Sequence, residues 1–323
     1  MEFMTVDHVP EQKQSTYCNI MEGRPCRAAC FDWDFREVAF TGPAKREGIY
    51  YERQKFMTMV KELNFTIYPS EKEVRVTRSL PKRNFIKELK KFKNLCVSEP
   101  CGCILLSISS HGVIVKTDDQ IDSGDFETFE DFILTHPELD QNEFSKNYVD
   151  ERVSVKEIME MFRDERLKKI PKIFFIQACR NQMHPADLDA DIGFDVCVVR
   201  DNGEGEPLPQ NHLLVPQASP GKNMAYSPPY LENSVIVFST PFGYVAGVES
   251  TKLGSHVWDV LEDTLKSMVP VNGSINLLDW LKKTNGELAK DENFEIQRNV
   301  KYKPLLSISH TLTKQILFKL QRE

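Results

Sequence analysis

Long apolar runs are missing from this sequence. None of its 323 residues belongs to a stretch near the ~18 uninterrupted apolar residues that a membrane-spanning helix needs. The opening MEFMTVDHVPEQKQ carries acids and no apolar centre, so it does not read as a secretory signal. Cysteine is sparse: eight, at 18, 26, 30, 96, 101, 103, 179 and 197, is far below the density of a disulfide scaffold. Without a secretory signal the expectation is reduced thiols and a cytoplasmic protein. Excess positive charge is lacking too. Against 48 Asp and Glu stand 41 Lys and Arg, net −7, a field that disfavours a nucleic-acid partner. Internal repeats are absent.

What is present is globular in composition, 41% hydrophobic and 28% charged, and long enough for one large or two ordinary domains. The acidity is concentrated. Residues 122–151 hold ten acids and one lysine, show no strong period, and are expected to be an inserted loop or short helix. The basic stretch 72–93 suits a solvated helix face better than a phosphate groove. Cys96-x4-Cys101-x-Cys103 invites a metal reading, but Cys101 and Cys103 lead into the apolar run 104–109, which favours strand packing, and no cofactor is implied.

Residues 1–25 are a short polar leader. The front part, 26–181, opens with a short strand at 27–33 and a helix after Gly48, where Phe56, Met59, Val60 and Leu63 recur at helical spacing. A weak strand at 73–76 and a helix over 84–92 follow, then a buried strand at 104–109 ending at His111-Gly112. An amphipathic helix over 155–167 stops at Pro171, and a continuous apolar strand, 172–177, arrives at Cys179. From 182 to 229 the chain turns rich in Asp, Pro, Gly and Asn and reads as a flexible linker. The back part, 230–323, carries a strand at 234–239, helices at 254–265 and 275–281, and a final strand at 305–312. Strands apolar throughout, alternating with helices, point to an α/β sheet covered on both faces.

Chemistry is concentrated at two strand ends, Ser109-Ser-His-Gly112 and Gln177-Ala-Cys-Arg180. Ligands gather outside the carboxyl ends of strands in open α/β sheets. A thiolate is the nucleophile of cysteine hydrolysis, and a nearby histidine moves its proton. A Gly beside the His exposes a backbone N–H for the oxyanion, and the Cys amide can supply a second. Singly, each residue is more ordinarily a buried core thiol or a polar cap.

Together, Phe174-Phe-Ile-Gln-Ala-Cys-Arg-Asn181 and the upstream Ser110-His-Gly112 resemble the caspases, aspartate-specific cysteine proteases of cell death, whose signature is Q-A-C-[RQG]-G with an upstream His. Arg46-x-Gly48 is similar to the family's R-x-G. Ser239-Thr240, Gly243-Tyr244 and Gly254-Ser255 follow its small-subunit pattern, and Pro304 with the tail from Leu312 matches its end. The resemblance implies a mostly parallel central sheet flanked by helices on both faces, with large- and small-subunit parts joined by the linker. It implies Cys179 as nucleophile and His111 as general base and acid. Gly112 and the Cys179 amide would form the oxyanion hole, and Arg46 and Gln177 would line the pocket for the substrate's aspartate. Asp187, Asp189, Asp191, Asp195 and Asp201 are candidate processing sites. It further implies a homodimer, or a heterodimer with a paralogous caspase, through the strand at 305–312.

Two departures stand out. Asn181 replaces the signature's last Gly, a tolerable change even if that position needs a left-handed backbone. After Gly243-Tyr244 the family has an aromatic and then a Trp-Arg pair whose Arg grips the aspartate; here Val245, Gly247 and Val248 stand, followed by Glu249. No Arg occurs between Arg200 and Arg298, and Lys252 cannot reproduce a planar two-pronged grip. The expected function is therefore a caspase-type endopeptidase with an intact dyad and an impaired aspartate pocket. The alternatives are an inactive decoy that pairs with an active paralogue or captures caspase inhibitors, and a non-enzymatic scaffold.

Overall fold

In the computed structural model the described residues are 16–18, 23–35, 46, 48–70, 77–117, 126–136, 151–181, 223–243, 246, 254–271, 273–290, 295–297, 300–301 and 305–319. Fifteen strands are described. They are β1 (Thr16–Cys18), β2 (Cys26–Asp32), β3 (Phe65–Tyr68), β4 (Cys103–Ser109), β5 (Gly112–Thr117), β6 (Phe126–Leu134), β7 (Arg152–Ser154) and β8 (Lys172–Gln177). The later ones are β9 (Asn223–Tyr226), β10 (Ser234–Phe238), β11 (Ser274–Asn276), β12 (Glu295–Gln297), β13 (Val300–Lys301), β14 (Ser307–His310) and β15 (Gln315–Lys319). The helices are α1 (Ile49–Glu62), α2 (Lys82–Ser98), α3 (Val155–Glu160), α4 (His256–Ser267) and α5 (Leu277–Lys290).

The central sheet has six strands in the order β14-β10-β8-β4-β2-β3. All neighbours are parallel except the antiparallel edge strand β14. Parallel strands buried on both faces read as unbroken apolar runs, and the period-2 geometry then divides one strand between two cores. In β4, Ile104, Leu106 and Ile108 face the core under α2 and α3, whereas Cys103 and Leu105 face the core under α1, α4 and α5. In β8, Phe174 and Ile176 go one way, Ile173 and Phe175 the other. The thiols of Cys26, Cys96, Cys101 and Cys103 are all buried in these layers, as strand packing requires.

A second sheet, β5-β6-β7 with β9 on β6, stands beside the carboxyl end of β4. It corrects the sequence reading of 122–151: Phe126–Leu134 is a nine-residue strand, not a loop or short helix. Its Glu127, Glu130 and Asp131 are buried, each against a cation from another element. Partners distant in sequence make acids tolerable at core positions, so the strand's period is invisible locally. The strand β9 likewise occupies the end of the segment read as linker. At the other end of the chain, the strand expected over 305–312 is shorter, β14, and it is not the last. The alternating Gln-Ile-Leu-Phe-Lys forms β15, with Ile316 and Phe318 buried, between β1 and β11. The weak strand expected at 73–76 lies outside the described residues.

Lys172 opens β8 at 1% exposure, its Nζ donating to the carbonyls of Ile170 (2.8 Å) and Glu232 (3.2 Å). Burial holds its ammonium down to about 8 from an ordinary 10.5. Below pH 8 both folded and unfolded chains carry the charge, and the folded one bears the whole cost of burying it. As pH rises past 8 the folded chain sheds that proton while the unfolded one keeps it, so stability increases until the unfolded lysine also titrates. Relative to Lys172→Met, urea unfolding of the parent should gain up to ~3 kcal/mol between pH 7 and pH 10.5. A pH-independent difference between the two would contradict this account.

Candidate active site

The parallel register of β4 and β8 sets Ser109 opposite Gln177, and the Ser110 N–H donates to the Gln177 carbonyl at 3.0 Å. The two motifs therefore leave the sheet side by side at its carboxyl edge. Gly112 follows at once in a very close backbone contact. A Cβ there would overlap the Cys179 carbonyl and lie 2.7 Å from Ala178 Cβ and 3.0 Å from Cys179 N. Only glycine permits that approach. It brings the Gly112 and Cys179 backbones to one place, with the Cys179 thiol half-buried and free of disulfide. The Leu134 N–H caps the His111 carbonyl at 3.0 Å.

His111 is 6% exposed, and its ring lies 4.9 Å from the Phe35 ring, which also stacks on His136 at 6.4 Å. Phe35 is held at φ 51°, a left-handed conformation that a bulky residue adopts only when its surroundings over-determine it. Its position was not legible in the sequence. Asn181, by contrast, is not among the residues of positive φ, so its substitution for Gly meets no left-handed backbone. Its carbonyl accepts from Ile114 N at 2.8 Å.

Beside this contact, Arg46 and Gln177 are brought into one buried polar cluster. Arg46 Nη2 donates to Ser109 Oγ (3.0 Å) and pairs with Glu52 (3.5 Å). Ser109 Oγ donates to Glu52 at 2.6 Å, the Ser255 N–H donates to Glu52 at 3.1 Å, and Gln177 Nε2 donates to Ser255 Oγ at 3.1 Å. Among the described residues Arg46 Nη1 and Gln177 Oε1 find no partner. These are a donor and an acceptor left over in a site that otherwise satisfies itself, and buried polar groups are seldom left so. Glu52 was missed in the sequence, where it is one more acid in the first turn of a helix. Ser255 was seen only as part of a motif. The cluster is closed by two glycines: a Cβ on Gly48 would fall on the Gly254 backbone, and Gly254 itself takes φ +83°. This gives the R-x-G and Gly-Ser motifs a physical reason, since each supplies one side of a backbone-to-backbone contact.

The Val245, Gly247, Val248, Glu249 and Lys252 positions lie outside the described residues, as do Asp187, Asp189, Asp191, Asp195 and Asp201.

With the geometry in view, comparison with known proteins is direct. The family model of the caspase domain matches residues 35–317, so the chain belongs to the caspase domain family, a family of cysteine proteases. No curated protein sequence matches it. Among solved structures it is similar to the crystal structure of caspase-1 from Spodoptera frugiperda, with a TM-score of 0.59 and 16% identity, covering 98% of each chain. The fold is thus the caspase-like α/β fold.

The glycine contact is testable against an internal control. Gly48→Ala should destabilise by at least ~2 kcal/mol through forced backbone displacement. Gly286→Ala, in α5 with nothing within 4 Å of the added atom, should stabilise by up to ~1 kcal/mol. Equal denaturation midpoints for the two variants would contradict the packing described.

Proposed function

We propose that this protein is a cysteine endopeptidase whose recognition of aspartate is weak. The observation that supports the reading is the close contact of Gly112, the neighbour of His111 in sequence, with the Cys179 backbone. In this mechanism the Cys179 thiolate attacks the scissile carbonyl, and the Gly112 and Cys179 N–H groups receive the developing oxyanion. His111 protonates the leaving amine, then draws a proton from water as the thioester is hydrolysed. No metal or cofactor enters any step.

Arg46 Nη1 is the donor left to meet a substrate carboxylate, while the free Gln177 Oε1, an acceptor, suits a substrate N–H. The Arg46 charge is already balanced by Glu52, so the pocket is neutral before the substrate arrives. A second cation would have to come from 201–297, which contains no arginine. Losing one partner of a desolvated charge pair typically costs ~2–5 kcal/mol, or roughly 30- to 4,000-fold. That same deficit favours the second reading, an inactive decoy for an active paralogue or its inhibitors. The cytoplasmic, apoptotic and zymogen aspects belong to the proposal, with Asp187, Asp189, Asp191, Asp195 and Asp201 as the processing sites. So does dimerisation: β14 is the sheet's edge and pairs only through β10 among the described strands, which leaves its other edge for a partner strand.

Two experiments decide. Labelling with an aspartyl peptide carrying a thiol-reactive group, beside iodoacetamide, should show slow peptide labelling of a reactive Cys179. Val248→Arg with an aromatic at Val245 should raise aspartyl peptide cleavage at least tenfold, and Cys179→Ala should abolish it. Alkylation without any peptide labelling or cleavage, in parent and Arg variant alike, would leave the decoy.

For assembly, Ile308→Glu should convert a sedimenting dimer to monomer by burying an unpaired charge. A parent that sediments as a single 37.3 kDa chain, alone and with an active caspase, would remove both dimer and decoy.

A further inference from the structure

Arg180 directly follows the nucleophile, and it is 3% exposed. Asp131 of β6 grips it at two points, accepting from Nε at 2.9 Å and from Nη2 at 3.1 Å. The Tyr226 hydroxyl of β9 accepts from Nη2 at 2.8 Å while donating to Asp131. Burial and the Asp131 charge hold that phenol well above its ordinary range, so it stays a donor. The Phe238 ring centroid lies 3.8 Å from the guanidinium carbon, and Ser307 Oγ is 3.4 Å from Nη1. The backbone is held as firmly. The Arg180 carbonyl accepts from Gly243 N at 2.6 Å. The Asn181 carbonyl accepts from Ile114, which is the β5 residue directly opposite Asp131. Asp131 therefore reaches the residues after Cys179 by two routes, one through a side chain and one through a strand pair.

A carboxylate that accepts from two nitrogens along one edge of a guanidinium fixes its plane as well as its place. Oxyanion donors must be held closely, because a misplacement of about 1 Å can cost ~100-fold in rate. We propose that Asp131 is a positioning residue for the hydrolysis: together with Tyr226 it locks Arg180, and through Arg180 it holds the Cys179 N–H where the oxyanion forms. This rests on the hydrolytic reading of Cys179 and His111. It also gives the acidic segment 122–151 a task, since the carboxylate comes from a strand interposed between β5 and β7.

The test uses the full chain as Asp131→Asn, which keeps the shape and removes the charge, and Tyr226→Phe as a milder variant. Asp131→Asn should lower kcat for an aspartyl peptide at least tenfold with KM within threefold, and Tyr226→Phe should fall between it and the parent. Iodoacetamide alkylation of Cys179 at high pH should stay within twofold, because alkylation develops no oxyanion. Amide hydrogen exchange over 178–181 should quicken at least tenfold in Asp131→Asn while α1 and α2 keep the parent's protection. A kcat unchanged in a folded variant would overturn the proposal, and so would exchange unchanged over 178–181. Parallel loss of kcat, alkylation and global protection would overturn it as well, since that marks a purely structural role. If the parent cleaves no aspartyl peptide, the proposed function fails by itself, and the exchange measurement still decides whether Asp131 fixes the nucleophile's backbone.

Discussion

The parallel pairing of β4 with β8 carries the rest of the site, because it fixes where two otherwise unrelated stretches of chain leave the sheet. With Ser109 opposite Gln177, the next three residues of one strand must pass the next two of the other. The missing side chain at Gly112 is what lets them do so without displacing the Cys179 carbonyl. A shift of register by one residue would reverse the faces of every β8 side chain, sending Phe174 and Ile176 away from α3. The two hydrophobic layers therefore enforce the alignment of the catalytic candidates, although none of their residues takes part in the chemistry.

The buried polar cluster around Arg46 and Glu52 is the counterpart of that apolar frame. Arg46, Glu52, Ser109, Gln177 and Ser255 come from four separate stretches of sequence and satisfy one another almost completely. A buried network of this kind specifies geometry because each member left unpaired would be costly. The two atoms without partners, Arg46 Nη1 and Gln177 Oε1, are the ones a ligand could complete. One remaining cation half is a small resource for binding an anionic side chain when Glu52 already balances it.

How much of this was legible in the sequence depended on how local the information is. The strands β2, β4, β8 and β10 declared themselves as short, largely apolar runs, and the helices α1 and α2 by the helical period of their buried residues. Cys179, His111, Gly112, Arg46 and Gln177 were found through motifs, and the structure gathers them at one sheet edge. The strand β6 was missed because Glu127, Glu130 and Asp131 look solvent-facing until Lys116, Lys156 and Arg180 are set against them. Those partners lie on β5, on α3 and beyond β8, 11, 26 and 49 residues away, so no short window of sequence holds all the pairs. Phe35 was missed for a similar reason: its strained backbone and its contact with His111 belong to the assembled loop cluster, not to its neighbours in the chain.

The segment between residues 182 and 222 leaves just beyond β8 of the central sheet and ends where β9 begins, paired with β6 of the second sheet. Its two attachment points are thus set by the two sheets, whatever its own length. Closing a flexible loop costs only about 0.6 kcal/mol more for each doubling of its length. Natural insertion and deletion can therefore lengthen, shorten or rewrite that stretch across lineages with little effect on folding, whereas a single added residue between β4 and Gly112 would misalign the thiol and its partners.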